Sequence, residues 1–236
     1  QGKPAAPGRQ GKPRQHDKVT RMGTESIPRL ITEFAIPSIL GMRVNGAYNV
    51  IDSIFLGQAM GEIGLSTATV AMPIMMVFMA IAMLIGNGGN ALAALRMGEG
   101  KPEEAERSLG NTVTLSLIAS VAVAIAMFVP ACIDGLLSVS GATPEDWDYA
   151  MRFIRIISLG FIFQCIGMGV NNFIRTAGAP NRALGTMIIG AVACTAFNAL
   201  FVLVMGMGVA GSALATVCGQ AISCATVLWY FCMTKG

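Results

Sequence analysis

Histidine is almost missing from this 236-residue chain; the single one is His16, ahead of every apolar stretch. That removes the usual His-based metal site, and with it any Ser-His or Cys-His nucleophile pair, from the apolar part of the molecule. An intramembrane hydrolase is therefore not expected. Charge is also scarce, 12% of residues against about 25% in a typical soluble domain. The six cysteines (Cys132, Cys165, Cys194, Cys218, Cys224, Cys232) form no CxxC pair, so neither a zinc-type cluster nor a disulfide framework is expected. Five of them fall inside apolar runs, where cysteine behaves as a small apolar residue. The Gly86-Asn-Gly-Gly-Asn90 run has no strand pattern before it and no lysine after it, which excludes a nucleotide-phosphate loop.

What fills the chain instead is hydrocarbon. Hydrophobic residues make up 54% and fall into six stretches of membrane-spanning length: Leu30–Leu56, Ser66–Leu95, Leu109–Val129, Tyr149–Ile174, Leu184–Met205 and Val209–Cys232. A span needs about 20 predominantly apolar residues. The pattern predicts an all-α polytopic membrane protein with six transmembrane helices, whose principal partner is the lipid bilayer. Of the 16 basic residues, all but Arg43, Arg152 and Arg155 lie in the tail or in segments on one side of these spans. The positive-inside bias then places both termini in the cytoplasm. The net charge of +3 is a topology signal, and no nucleic-acid partner is expected.

Residues 1–26 read differently. They are rich in Gly, Pro, Gln, Lys and Arg, repeat Gly-Lys-Pro and lack apolar periodicity, so they cannot bury enough surface to offset their ordering entropy. The expectation is a disordered basic tail, or an artefact of gene calling with Met22 the natural start, followed by a six-helix domain over residues 27–236. No cleaved signal peptide is expected, because the apolar run after the tail is too long and lacks a small-residue cleavage site.

Polar groups inside a span are costly and mark either a site or a helix contact. Span one holds Gly41, Asn45, Tyr48, Asn49 and Asp52; at about 100° per residue, Gly41, Asn45 and Asp52 fall within roughly 20° of one another, with Tyr48 and Asn49 flanking. A carboxylate on a polar stripe suits a proton or cation, while the plainer reading is a structural hydrogen-bond anchor. Arg43 points to the opposite face. Span four repeats the pattern with Gln164, Asn171 and Arg175, and span six with Ser212, Thr216 and Gln220. For Thr216 and Gln220 packing and ligand roles weigh about equally. Beside them, Gly211, Ala215, Gly219 and Ser223 form a small-residue ladder that favours close helix packing. Pro73 and the Gly86–Asn90 run mark a place where the second helix could break. Thr143, Pro144 and the acids after them read as a helix start within the outer loop Pro130–Asp148. Glu99–Arg107 reads as a solvated connector.

Several segments resemble one transporter family. Phe34-Ala-Ile-Pro37 leading to Tyr48-Asn-Val-Ile-Asp52-Ser-Ile-Phe-Leu-Gly57 is similar to the first helix of multidrug and toxic compound extrusion (MATE) transporters. Gly86–Gly100, Tyr149–Ile156, Asn172–Gly178 and Gly206–Thr216 continue the likeness in order, so that it covers residues 27–233. The resemblance implies one six-helix lobe, the N-terminal one, of a fold built from two. It implies a cation-coupled antiporter with no enzymatic activity and no cofactor other than a coupling ion, H⁺ or Na⁺. Its substrates would be small amphipathic, often cationic compounds. Its partner would be a missing C-terminal lobe or a second copy of the chain, depending on whether the chain is a fragment or a half-length subunit.

The family's lobe carries an Asp on helix one, an Asn-xxx-Asp pair on helix five and a Thr on helix six. Asp52 and Thr216 match, whereas Cys194 and Asn198 stand where Asn and Asp are expected. The candidate ion and substrate residues are thus Asp52, Asn45, Tyr48, Asn49, Cys194, Asn198, Thr216, Gln220, Asn171 and Gln164. Two other readings stay open: a lipid-linked oligosaccharide flippase of the same superfamily, hinted at by Arg43, and a non-transporting membrane scaffold, hinted at by the altered helix-five pair.

Overall fold

A computed structural model describes residues 27–177 and 179–234; the expected tail at 1–26 lies outside the described residues. Every element described is helical. Helix α1 runs Ile27–Gly98, α2 Pro102–Phe128, α3 Pro130–Val139, α4 Trp147–Thr176 and α5 Pro180–Asn198; α5 continues through a π-helical turn, Ala199–Val204, and α6 runs Gly208–Thr234. The expected loop between spans one and two, 57–65, is not a loop. A single glycine reverses the chain there: Gly61, at φ 59° and ψ −132°, interrupts the 72-residue helix. A Cβ on Gly64 would stand 2.7 Å from the Leu56 carbonyl oxygen, although a continuous helix holds residues eight apart at about 12 Å. The chain therefore turns sharply at Gly61, dividing α1 into a first arm (residues 27–59) and a second arm (Met60–Gly98).

Among the described residues, five helices are long and apolar enough to cross a membrane: Met60–Gly98, Pro102–Phe128, Trp147–Thr176, Pro180–Val204 and Gly208–Trp229. The first arm has the length but not the hydropathy, because Arg43, Asn45, Asn49 and Asp52 dilute it. Two further expectations are corrected. The predicted outer loop contains α3, a short apolar helix started by Pro130 at its first position. Helix α4 starts at Trp147 rather than at Pro144; residues 143–146 form a turn in which the Thr143 hydroxyl donates to Asp146 Oδ2 at 2.8 Å, and Ser66 donates to the same oxygen at 2.6 Å.

Packing follows membrane logic. The buried face of α2 includes Ser108, Thr112, Ser116 and Ser120, one residue per turn, while Leu115, Ile118, Val121 and Ile125 are exposed. Hydroxyls face the neighbouring helices and hydrocarbon faces outward. Most of these hydroxyls donate back to the carbonyl four residues earlier, as Thr112 does to Ser108 at 2.8 Å and Ser120 to Ser116 at 2.7 Å, so they cost little to bury. The Gly86–Asn90 run does not break its helix; it lets three helices meet. A Cβ on Gly86 would lie 3.1 Å from the Gly169 Cα, and one on Gly89 would collide with the Thr112 side chain. Nearby, Asn172 donates to Asn87 at 2.9 Å and Thr176 to Asn90 at 2.7 Å. Larger side chains make the core between the second arm, α3, α4 and α6, where the Phe78 and Phe161 rings sit 5.3 Å apart. At the α1–α2 connector, Arg96 pairs with Glu99 (2.8 Å) and Glu104 (3.1 Å); these pairs are partly exposed and contribute little to stability.

The small-residue ladder of α6 sits against α5. A Cβ on Gly219 would be 2.6 Å from the Cys194 Cβ and 3.1 Å from the Gly190 carbonyl oxygen. Gly219→Leu should therefore destabilise the lobe by about 2 kcal/mol or more through overpacking. Gly88→Leu, where nothing lies within 4 Å of the added Cβ, should be tolerated. Thermal unfolding in detergent checks the contrast; equal midpoints for the two variants would show the α5–α6 contact to be looser than described.

Candidate functional site

Residues one turn apart on a helix share a face, and three such pairs converge in this lobe. The first arm of α1 supplies Tyr48 and Asp52, α5 supplies Cys194 and Asn198, and α6 supplies Ser212 and Thr216. They meet in two layers. In the layer nearer the Gly61 turn, Asp52 Oδ1 accepts hydrogen bonds from Asn198 Nδ2 at 2.8 Å and from the Ser212 hydroxyl at 2.9 Å. One turn away, the Tyr48 and Thr216 hydroxyls are 3.2 Å apart and the Cys194 thiol adjoins both. The layers are joined along α5, where Asn198 Nδ2 lies 3.8 Å from the Cys194 sulfur. Because α6 enters from the opposite end to α1 and α5, Ser212 falls level with Asp52 and Thr216 with Tyr48.

The cluster is dry on the α5 and α6 sides. Asn198 and Ser212 are 0% exposed, Cys194 3% and Thr216 5%. The α1 side is more open, with Tyr48 and Asp52 half-buried. Within the cluster, two acceptors have no hydrogen bond from the described residues. Both hydrogen bonds to Asp52 go to Oδ1, leaving Oδ2 to meet a proton or a cation, and the carbonyl oxygen of Asn198 is buried with no hydrogen-bond partner. A buried orphan acceptor costs roughly 1–3 kcal/mol, so it favours any donor or cation that reaches it.

The remaining candidates lie elsewhere. Asn49 donates to the Asn45 carbonyl at 2.8 Å, and both side chains are exposed, away from the cluster. Arg43 is exposed as well. Asn171 is buried and donates to the Ala183 carbonyl (3.1 Å) and to Thr186 (2.9 Å), clipping α4 to α5. Gln164 and Gln220 are half-buried, the latter one turn beyond Thr216 on α6. Arg175 donates to the Met187 sulfur at 3.0 Å, near Gly41. Ser212, which the sequence places in the polar row with Thr216 and Gln220 but not among the candidate ion and substrate residues, also joins the site; only the placing of its partner carboxylate marks it.

The MatE family model matches residues 37–200, more than half of the chain, and the chain belongs to that family, whose members are transporters. Curated relatives include a probable multidrug resistance protein, YpnP, of Bacillus subtilis, 24% identical over 201 residues, covering 84% of this chain and 44% of the relative. The multidrug export protein MepA of Staphylococcus haemolyticus is 23% identical over 210 residues, covering 87% and 45%. Among solved structures, the MATE multidrug transporter DinF-BH superposes with a TM-score of 0.84 at 39% identity, over 89% of this chain and 47% of that one. The chain spans about half the length of the curated relatives it matches.

The layered geometry can be read out by crosslinking. In a background with the native cysteines replaced, cysteines at 52 and 198 should be joined by a short bifunctional thiol reagent, and cysteines at 49 and 198 should not. Gel mobility of the correctly inserted protein reads the result; equal crosslinking of both pairs would mean that the register of α1 against α5 differs from the one described.

Proposed function

We propose that this chain forms the N-terminal half of a cation-coupled multidrug/toxin antiporter, which exports small amphipathic, often cationic compounds in exchange for H⁺ or Na⁺. The observation that carries this reading is the Asp52 cluster: one carboxylate of the first arm, held by donors from two other helices. Its unused oxygens, Asp52 Oδ2 and Asn198 Oδ1, are the chemistry a proton or a small cation requires. The names of the relatives, multidrug export and multidrug resistance proteins, point to the same substrate class. On this reading the lobe sits in the plasma (inner) membrane with both termini cytoplasmic, as the distribution of Lys and Arg favours. It forms one wall of the transport cleft, and the other wall comes from a second lobe or a second copy. The open α1 side of the cluster, together with the exposed Asn45 and Asn49, would face that cleft.

Asp52→Asn keeps the shape and the hydrogen-bonding reach of the side chain but fixes its charge. In the full-length or paired form that transports, it should abolish ion-driven efflux while leaving membrane insertion unchanged. Export of a fluorescent cation from cells measures this, and wild-type efflux in the mutant at matched expression would sink the assignment.

Reinstating the family pair tests coupling separately. The double variant Cys194→Asn/Asn198→Asp should steepen the dependence of efflux on the proton or Na⁺ gradient, because it adds a second carboxylate beside Asp52. An unchanged gradient dependence would place coupling outside this lobe.

A further inference from the structure

At the end of the lobe that bears the Gly61 turn lies a cavity of about 600 Å³, bounded by that turn, the start of α4 and the connector between α5 and α6. It is separate from the Asp52 cluster, and none of the cluster residues lines it. Its volume falls in the range of small-molecule sites, about 300–1,000 Å³. The polar groups on its wall are Gln58, Tyr149 and Arg152, and the apolar wall includes Met60, Leu203 and Met207. Among the described residues, Arg152 is the only charged one in this lining. A lone guanidinium at the end of a span normally extends to the headgroup region; here it borders a space that also offers a phenol, an amide and hydrocarbon.

The surroundings decide which anion can use it. The segments at this end carry five acids, Glu62, Asp134, Glu145, Asp146 and Asp148, against two basic residues, Arg152 and Arg155 in the first turns of α4. A free anion arriving from water meets that negative field. An anion already anchored in the bilayer by acyl chains reaches the cavity from the side and gains apolar contact as well.

We propose that this cavity binds the phosphate-bearing head of an anionic amphiphile drawn from the adjacent leaflet, the outer one in the topology above. The phosphate meets the Arg152 guanidinium, whose planar fork suits two phosphate oxygens. The Tyr149 hydroxyl and the Gln58 amide are further donors, and the chain nearest the head lies against Leu203 and Met207. Arg155, one turn further along α4, has a different role: its guanidinium carbon stands 5.7 Å from the centre of the Phe128 ring, outside the cavity lining. The site does not depend on transport, so it stands or falls apart from the antiporter reading.

The test is native mass spectrometry of the purified chain titrated with phosphatidylglycerol in detergent, with inorganic phosphate as competitor. Arg152→Gln should weaken retention about tenfold, the loss of a charge-assisted hydrogen bond, and Arg152→Lys should recover part of it. Arg155→Gln should leave retention unchanged. Leu203→Trp, which fills the apolar wall and keeps every charge, should also lower it and serves if Arg152→Gln fails to fold. Inorganic phosphate should not displace the lipid. Wild-type retention in both Arg152→Gln and Leu203→Trp, or equal loss in Arg155→Gln, would overturn the proposal; displacement by inorganic phosphate would overturn the membrane origin of the ligand.

Discussion

Hydrocarbon offers a polar group no water, so each one within this lobe must find its partner in the protein or line a space that water or a ligand can enter. That constraint shapes almost every contact described. It explains why Ser108, Thr112 and Ser120 of α2 bond to their own helix while turning inward, and why Asn171 and Asn172 reach across to neighbouring helices. It also explains why Asp52, the most costly side chain to place, is held from two directions. Burial of apolar area cannot drive the helices together in lipid, since the surroundings are as apolar as the interface. Close approach over glycine and serine provides the packing instead, at Gly86 against Gly169 and at Gly219 against Cys194.

The candidate site is a product of that packing. Cys194 both contacts the polar cluster and fills the space against which Gly219 must remain bare. The small-residue ladder and the site are thus two faces of one helix contact: whatever separates α5 from α6 also moves Asn198 and Ser212 apart, and Asp52 cannot then keep both donors. Placing donors on different helices makes the carboxylate sensitive to their relative positions, which a carboxylate satisfied within its own helix would not be.

Much of the fold was legible in the sequence because a membrane span is a coarse signal: length and apolarity suffice. What escaped was fine backbone behaviour. Nothing in the run Gly57–Leu65 distinguishes a loop from a helix bent at one glycine, since both need Gly61. The short helix α3 is too brief to register as a span and sits where a loop was expected. The inward hydroxyls of α2 were invisible because apolar residues on its other faces dominate any hydropathy average. The stripe of α1 includes Asp52, which the structure places in the polar cluster, but rotation about one helix cannot tell which other residues of the stripe and its flanks turn inward. Tyr48 does, and Asn45 and Asn49 do not. Cys194 and Asn198 came from family resemblance alone; an apolar helix with one cysteine and one asparagine carries no periodic signal of its own.

The replacement of a second acid by Asn198 has a consequence for charge counting. A pair of carboxylates can hold two protons, one divalent cation, or a proton and a monovalent cation, and so can pass through several charge states in a cycle. With Asp52 as the single acid, the cluster has only two: minus one when empty and zero when filled by one proton or one monovalent cation. If the lobe works as the antiporter half proposed above, its share of the exchange is limited to one elementary charge per turnover, and any further ion needed to drive a multiply charged cargo would have to be carried by groups outside it.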